Sequence, residues 1–232
     1  MAIRLIIFDV DDTLAPPNTP INRNVAEVLK KLETRGIRIC LISGKPVSYL
    51  SGLARQLGLQ EPILSGENGA IVYYSKDFPP KQSLVVTTVE ESEVLEELKA
   101  SIIRDYGDTV WIQPNQFNLT IFPRTEKTKT DLFQYVTDRS TELSAEGFKV
   151  YRHSDSIEVV SSKIDKGAAL RKIRTLEKMG KDEVIAVGDG ENDIPMFSEA
   201  SISIGIKMTS ASYNFSNIKE AIRFIRELME EQ

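Results

Sequence analysis

The chain of 232 residues has one cysteine, one histidine and one tryptophan. A single cysteine, Cys40, excludes an intramolecular disulfide and a cysteine-built zinc site. It lies in the apolar run Ile37-Arg38-Ile39-Cys40-Leu41-Ile42 and reads as a small buried hydrophobe. The single histidine, His153, has no G-x-S-x-G elbow to serve, so a surface place is expected rather than a Ser-His-Asp triad. No apolar run reaches the length of a membrane span or a signal-peptide core; Leu5 to Phe8 is too short for either. The expectation is a cytoplasmic protein that does not meet a membrane. Positive charge is not in excess either. Lys and Arg number 29 against 34 Asp and Glu, a formal net charge of -5, so no basic face marks a nucleic-acid binder. Repeats and low-complexity tracts are also missing. The 41% hydrophobic and 27% charged residues are ordinary for a globular protein long enough to bury a core.

The residues present fall into two patterns. Ile3 to Phe8 is a nearly continuous apolar run that ends in acids, as a strand buried on both faces of a parallel sheet does. Asn22 to Arg35 carries Val25, Val28, Leu29 and Leu32 at helical spacing and stops at Gly36. Ile37 to Ile42 reads as a second strand, Pro46 to Leu57 as a helix with proline in its first turn, and Ile63-Leu64 as a short third strand. This alternation predicts a doubly wound, Rossmann-like α/β fold with a parallel sheet. After a break at Phe78-Pro79-Pro80 the pattern changes. Strands are expected at Leu84–Val89, Thr109–Gln113, Phe117–Phe122, Phe148–Arg152 and Ile157–Val160, and helices at Glu91–Tyr106 and Thr128–Leu143. The first pattern returns with a helix from Lys166 to Met179. Then come a strand at Val184–Val187, a short helix at Ile194–Ala200, a strand at Ile202–Ile206 and a terminal amphipathic helix at Ile218–Met229, expected to pack on the core. The division is an α/β core of residues 1–82 and 162–232, with an α+β domain inserted at 83–161.

Ligands of open α/β sheets bind beyond the carboxyl ends of the strands. Three strands end in polar clusters: Asp9-Val10-Asp11-Asp12-Thr13, Ser43-Gly44-Lys45, and Gly188-Asp189-Gly190-Glu191-Asn192-Asp193. Alone, each has a plain reading as a cap or turn. Together at one sheet edge, with Lys166, they gather carboxylates that need a cation, and hard oxygens without His or Cys favour magnesium over zinc.

These residues resemble the haloacid dehalogenase superfamily, in particular its Cof-like phosphatases. Asp9-Val10-Asp11-Asp12-Thr13-Leu14 matches D-x-D-x-T, Ser43 the second motif, Lys166 the third, and Gly188 to Asp193 the fourth. Glu67-Asn68-Gly69-Ala70 is similar to that branch's Asn-Gly-Ala turn, and Asp12 stands where many members have Gly.

The resemblance implies a phosphatase. Asp9 would be the nucleophile that takes the phosphoryl group, and Asp11 the general acid and then base, kept protonated with help from a neighbouring carboxylate. Ser43, the Gly44 N–H at a helix N-terminus, Lys166 and Asn192 would bind the phosphate. Mg2+ would sit on Asp9, the Asp11 carbonyl, Asp189 and Asp193. Lys45 is a weaker candidate for the phosphate, Lys163 reads as surface, and Gly190 is expected to permit a tight turn. The insertion resembles the family's cap and is short, like that of archaeal-type phosphoglycolate phosphatases. A small phosphorylated metabolite follows as substrate, phosphoglycolate or a sugar phosphate, for a monomer or homodimer; Arg152, His153 and Glu158 are polar candidates in the cap. A phosphomutase, a phosphatase for a glycosylated phosphoglycerate, a metal-dependent glycosyltransferase and a non-catalytic binding module are the competing readings.

Overall fold

The structure is a computed structural model, which describes residues 2–74, 81–84 and 89–230. In chain order the core elements are β1 (Leu5–Asp9), α1 (Arg23–Thr34), β2 (Arg38–Ile42), α2 (Val47–Leu57), β3 (Ile63–Gly66), β4 (Ile71–Tyr74) and β5 (Lys81–Leu84). There follow α3 (Val89–Tyr106), β6 (Val110–Ile112), β7 (Asn118–Pro123), α4 (Glu126–Asp138), α5 (Ser140–Ala145), β8 (Phe148–Arg152) and β9 (Ile157–Ser161). The chain ends with α6 (Lys166–Glu177), β10 (Val184–Gly188), α7 (Ile194–Phe197), β11 (Ile202–Ile206), β12 (Tyr213–Phe215) and α8 (Ile218–Glu230). The chain forms two compact units, Met1–Leu84 with Asp165–Gln232, and Val85–Ile164. The Phe78-Pro79-Pro80 break and residues 85–88 of the expected strand at Leu84–Val89 lie outside the described residues.

The first unit is built on an eight-stranded sheet in the order β12-β11-β10-β1-β2-β3-β4-β5. Its first six strands run parallel, while β4 and β5 pair antiparallel at one edge. The sheet is therefore mixed at that edge. The cause is local: Glu67, Asn68 and Gly69 all take positive φ, 54°, 56° and 103°, and turn the chain straight back onto β3. A β-carbon on Gly69 would also lie 2.6 Å from the Ala169 side chain, so glycine is needed there for space as well as for φ. Leu5 to Phe8, Ile39 to Ile42 and Val184 to Val187 are fully buried, as strands covered on both faces must be. The strand order reverses direction between β1 and β10, the switch point where crevices form in such sheets.

Helix ends are set by side chains. Asn22 caps α1 by accepting from the Asn24 N–H, and Asp165 caps α6 by accepting from the Ala168 N–H at 2.7 Å. Pro46 is the N-cap of α2 rather than a first-turn residue, and Gly58 closes that helix in the left-handed region. The terminal helix α8 does pack on the core, burying Ala221, Ile222, Ile225 and Met229.

The second unit is a four-stranded antiparallel sheet, β6-β7-β9-β8. Leu119, Ile121, Ile157 and Val159 of its sheet form a core with Leu95, Leu98 and Ile102 of α3 and Leu132 and Val136 of α4. The single helix expected at Thr128–Leu143 is two helices, broken at Arg139. Thr137 and Ser140 turn their hydroxyls onto the carbonyls of Phe133 and Thr137, and such back-bonding competes with the helix ladder. Cys40 is buried, and burial raises its thiol pKa beyond the titrating range. Among the described residues no helix is long and apolar enough to cross a membrane.

Ile225 tests the docking of α8, because it is fully buried. Ile225→Ala should lower the unfolding free energy by about 3 kcal/mol in a urea titration, the usual cost of such a cavity. A change within experimental scatter would mean that the helix does not contribute to the core.

Candidate active site

Asp9 is the last residue of β1, and Lys166 is the first of α6. Both are buried, at 7% and 2% exposure. Lys166 Nζ donates to Asp9 Oδ1 and to Asp193 Oδ1, each at 2.6 Å. Asp193 is fully buried, and its other oxygen accepts the N–H groups of Asp189 and Gly190, both at 2.9 Å. Asp193 thus orients the lysine and shapes the loop after β10. Gly188 makes that possible, since a β-carbon there would lie 2.4 Å from the Asp193 carboxyl. Gly190 opens the tight Glu191–Asp193 turn, as expected of it, with extended backbone angles, and a β-carbon there would lie 2.7 Å from Asn192 Oδ1.

Asp189 is held from the other side. Thr13 Oγ1 donates to its Oδ1 at 2.6 Å. Oxygens of Asp9, Asp189 and Asp193 all lie within 4.8 Å of one another. Burial pushes the Asp9 carboxyl well above its ordinary range; Lys166 pulls it down, and Asp193 and Asp189 push it up. Burial also raises Asp189, against the Thr13 hydroxyl. For Lys166 burial works against the ammonium, but Asp193 and Asp9 outweigh it and hold the group charged. Three carboxylates face one ammonium, all donors are hard oxygens, and two of the acids approach each other. That set fits a small divalent cation with oxygen preference.

The second strand end is arranged differently from the sequence expectation. Ser43 is buried, and its Oγ accepts the Lys45 N–H at 3.2 Å. Gly44 precedes the Pro46 cap of α2, so its N–H is not among the free first-turn donors of that helix. Lys45 Nζ lies 2.7 Å from Asp11 Oδ2. The group on Asp11 is an ammonium, not the neighbouring carboxylate expected from the sequence. Asn192 is half-buried in the Glu191–Asp193 turn. Asp12 has φ 59°, a left-handed angle that glycine adopts freely, which explains why glycine suits the position. Lys163 is exposed, 3.1 Å from Glu91. Two residues of the quoted motifs, Thr13 and Asn68, contribute without a role having been expected of them. Thr13 was visible as the threonine of D-x-D-x-T. Asn68, whose N–H donates to Ser43 O at 2.9 Å, buttresses the second loop.

A sequence model of the haloacid dehalogenase-like hydrolases matches residues 6–146 and 112–225. The chain belongs to this family. It is 25% identical to a protein of Methanopyrus kandleri named phosphoglycolate phosphatase, over 98% of this chain and 97% of that protein. A Sulfolobus acidocaldarius protein of the same name is 26% identical over 87% of this chain and 82% of its own length. Among solved structures, a haloacid dehalogenase-like hydrolase from Bacteroides thetaiotaomicron superposes with a TM-score of 0.78 at 20% identity, covering 96% of this chain and 99% of that one.

The raised Asp9 pKa has a stability consequence for this hydrolase. The folded chain binds the Asp9 proton more tightly than the unfolded chain does. The cost of folding is therefore absent below the ordinary carboxylate range and develops as pH rises through the raised folded value. In EDTA near neutral pH, Asp9→Asn should be more stable than wild type, with the gap closing on acidification. Urea titrations at several pH values check this. A variant less stable than wild type at neutral pH would show that the Lys166 pairing outweighs burial.

Proposed function

We propose that the protein is a Mg2+-dependent phosphatase that hydrolyses a small phosphomonoester, phosphoglycolate or a sugar phosphate, through an aspartyl-phosphate on Asp9. The observation that carries the reading is the buried Asp9–Lys166–Asp193 array at the sheet's switch point, beside Asp189. The names of the archaeal relatives support the reaction class.

Asp9 attacks phosphorus, and the leaving alkoxide takes a proton from Asp11. Asp11 then removes a proton from the water that attacks the phosphoenzyme, which frees Asp9 and inorganic phosphate. Because Asp11 is ion-paired with Lys45, this role requires the pair to open when substrate enters. Lys45 is then available to a phosphate oxygen, alongside Ser43, Asn192 and Lys166. Such convergence of donors is how phosphoryl transfer is catalysed, by positioning and charge stabilisation. Asp9, Asp189 and the Asp11 carbonyl would hold Mg2+, which supplies charge neutralisation at the phosphoryl oxygens. Both Asp193 oxygens already have partners, so its part is to position Lys166. We assign substrate selection to the inserted unit.

The test is a phosphate-release panel of small esters with Mg2+. Wild type should release phosphate, EDTA should abolish release, and Asp9→Asn should fall by a factor of about a thousand or more, as loss of a covalent nucleophile does. Ser43→Ala should lower kcat/KM by roughly tenfold, the worth of one hydrogen bond to a charged group. An Asp9→Asn variant as active as wild type would rule out the covalent route, and a wild type inert on every ester would bring the mutase and binding-module readings forward.

A further inference from the structure

The Lys45 ammonium has a second contact besides Asp11. Nζ lies 2.7 Å from Asp11 Oδ2 and 5.4 Å from the centroid of the Tyr49 ring. The second distance is within the reach of a cation–π interaction. Tyr49 is the third residue of α2, and the buried face of that helix is made by Val47, Leu50, Ala54 and Leu57. Tyr49 itself is 44% exposed, so core packing does not account for a large ring at this place.

The main chain at Lys45 is held from two sides. Its N–H donates to Ser43 Oγ at 3.2 Å, and its carbonyl accepts the Glu67 N–H at 3.0 Å. Gly66 lets the two loops come this close, since a β-carbon there would lie 3.0 Å from that carbonyl and 2.7 Å from the Val47 N. The pivot of the side chain is therefore fixed, and the freedom that remains is in its four-carbon stem. That stem must be ordered whenever the ammonium holds a phosphate oxygen. The Asp11 pair alone orders it weakly. Its two side chains keep 21% and 26% of their surface in solvent, and ion pairs open to water contribute little. A ring face adds a contact that depends on the charge of the ammonium and not on which anion the ammonium meets. Conformers that swing out into solvent lose that contact. The ring thus raises the share of free protein whose ammonium already stands at the site, and apparent affinity rises with that share.

We propose that Tyr49 is a positioning residue: its ring keeps the Lys45 ammonium at the Asp9 edge, ready to pass from Asp11 to a phosphate oxygen. The proposal rests on the reading of Lys45 as a phosphate donor, and not on turnover. Calorimetric titration with inorganic phosphate in the presence of Mg2+ tests it without any reaction. Tyr49→Leu should weaken phosphate binding by roughly threefold, the worth of an exposed cation–π contact. Tyr49→Phe keeps the ring face and should restore wild-type affinity. Lys45→Met should weaken binding by about tenfold, the loss of a charged donor, and adding Tyr49→Leu to it should change nothing further. A merely structural role would give the same loss with or without Lys45. In turnover of an ester the Tyr49→Leu change should fall on KM, because the contact is made alike in the ground and transition states. Wild-type affinity in Tyr49→Leu, an equal loss in the Lys45→Met background, a Tyr49→Phe as weak as Tyr49→Leu, or a loss confined to kcat overturns the proposal, as does a wild type that binds no phosphate. Ester hydrolysis with affinity indifferent to Tyr49 would leave the phosphatase reading standing and remove this one. Phosphate binding that depends on Tyr49 through Lys45, in a protein that hydrolyses no ester, would do the reverse.

Discussion

The catalytic edge of the core depends on one buried ammonium. Lys166 lies between Asp9 and Asp193, and its ammonium is the group that pulls the buried Asp9 carboxyl back towards ionisation. Its position is itself costly. A cation at the first residue of a helix faces the positive end of the helix dipole. Asp165 caps the same helix, and Ala169, Leu170 and Ile173 anchor it in the core, so the lysine is held where its own helix disfavours it. Removing the lysine leaves two buried acids without their counter-charge, a change that typically costs about 3–5 kcal/mol. The group is thus both a structural tie between distant strands and the charge that readies Asp9.

Much of this was legible in the sequence, for a physical reason. Strands buried on both faces read as apolar runs, so β1, β2 and β10 stood out, and the acids at their ends marked the binding edge. What failed to show were features without a period. β4 is four residues long and exists because three consecutive residues take positive φ. β12 is three residues with largely exposed side chains, and no apolar pattern announces it. The break at Arg139 comes from two hydroxyls, not from proline or glycine.

The site shows the same division. Motif spacing identified which residues gather, and the structure brings Asp9, Asp189, Asp193 and Lys166 together. Motif spacing could not say which partner each oxygen finds. The ion pair between Lys45 and Asp11, the double use of Asp193 and the need for glycine at 188 follow from distances between atoms far apart in sequence. Gly44 shows how sensitive such readings are. It lies two residues before the Pro46 N-cap, outside the first turn of α2.

The insertion has a consequence for how the chain is made. Asp9 and Lys166 are 157 residues apart, and β10, the neighbour of β1, follows later still. During synthesis β1, β2 and β3 emerge long before the strand that completes them. The intervening unit, with antiparallel strands close in sequence, has what it needs to fold first. Until the chain returns at Asp165, one flank of β1 is an unpaired apolar edge, and Asp9 has no counter-charge. The nascent protein therefore passes through a stage of exposed strand edge that ends only when its last third arrives, a window of aggregation risk written into the order of its elements.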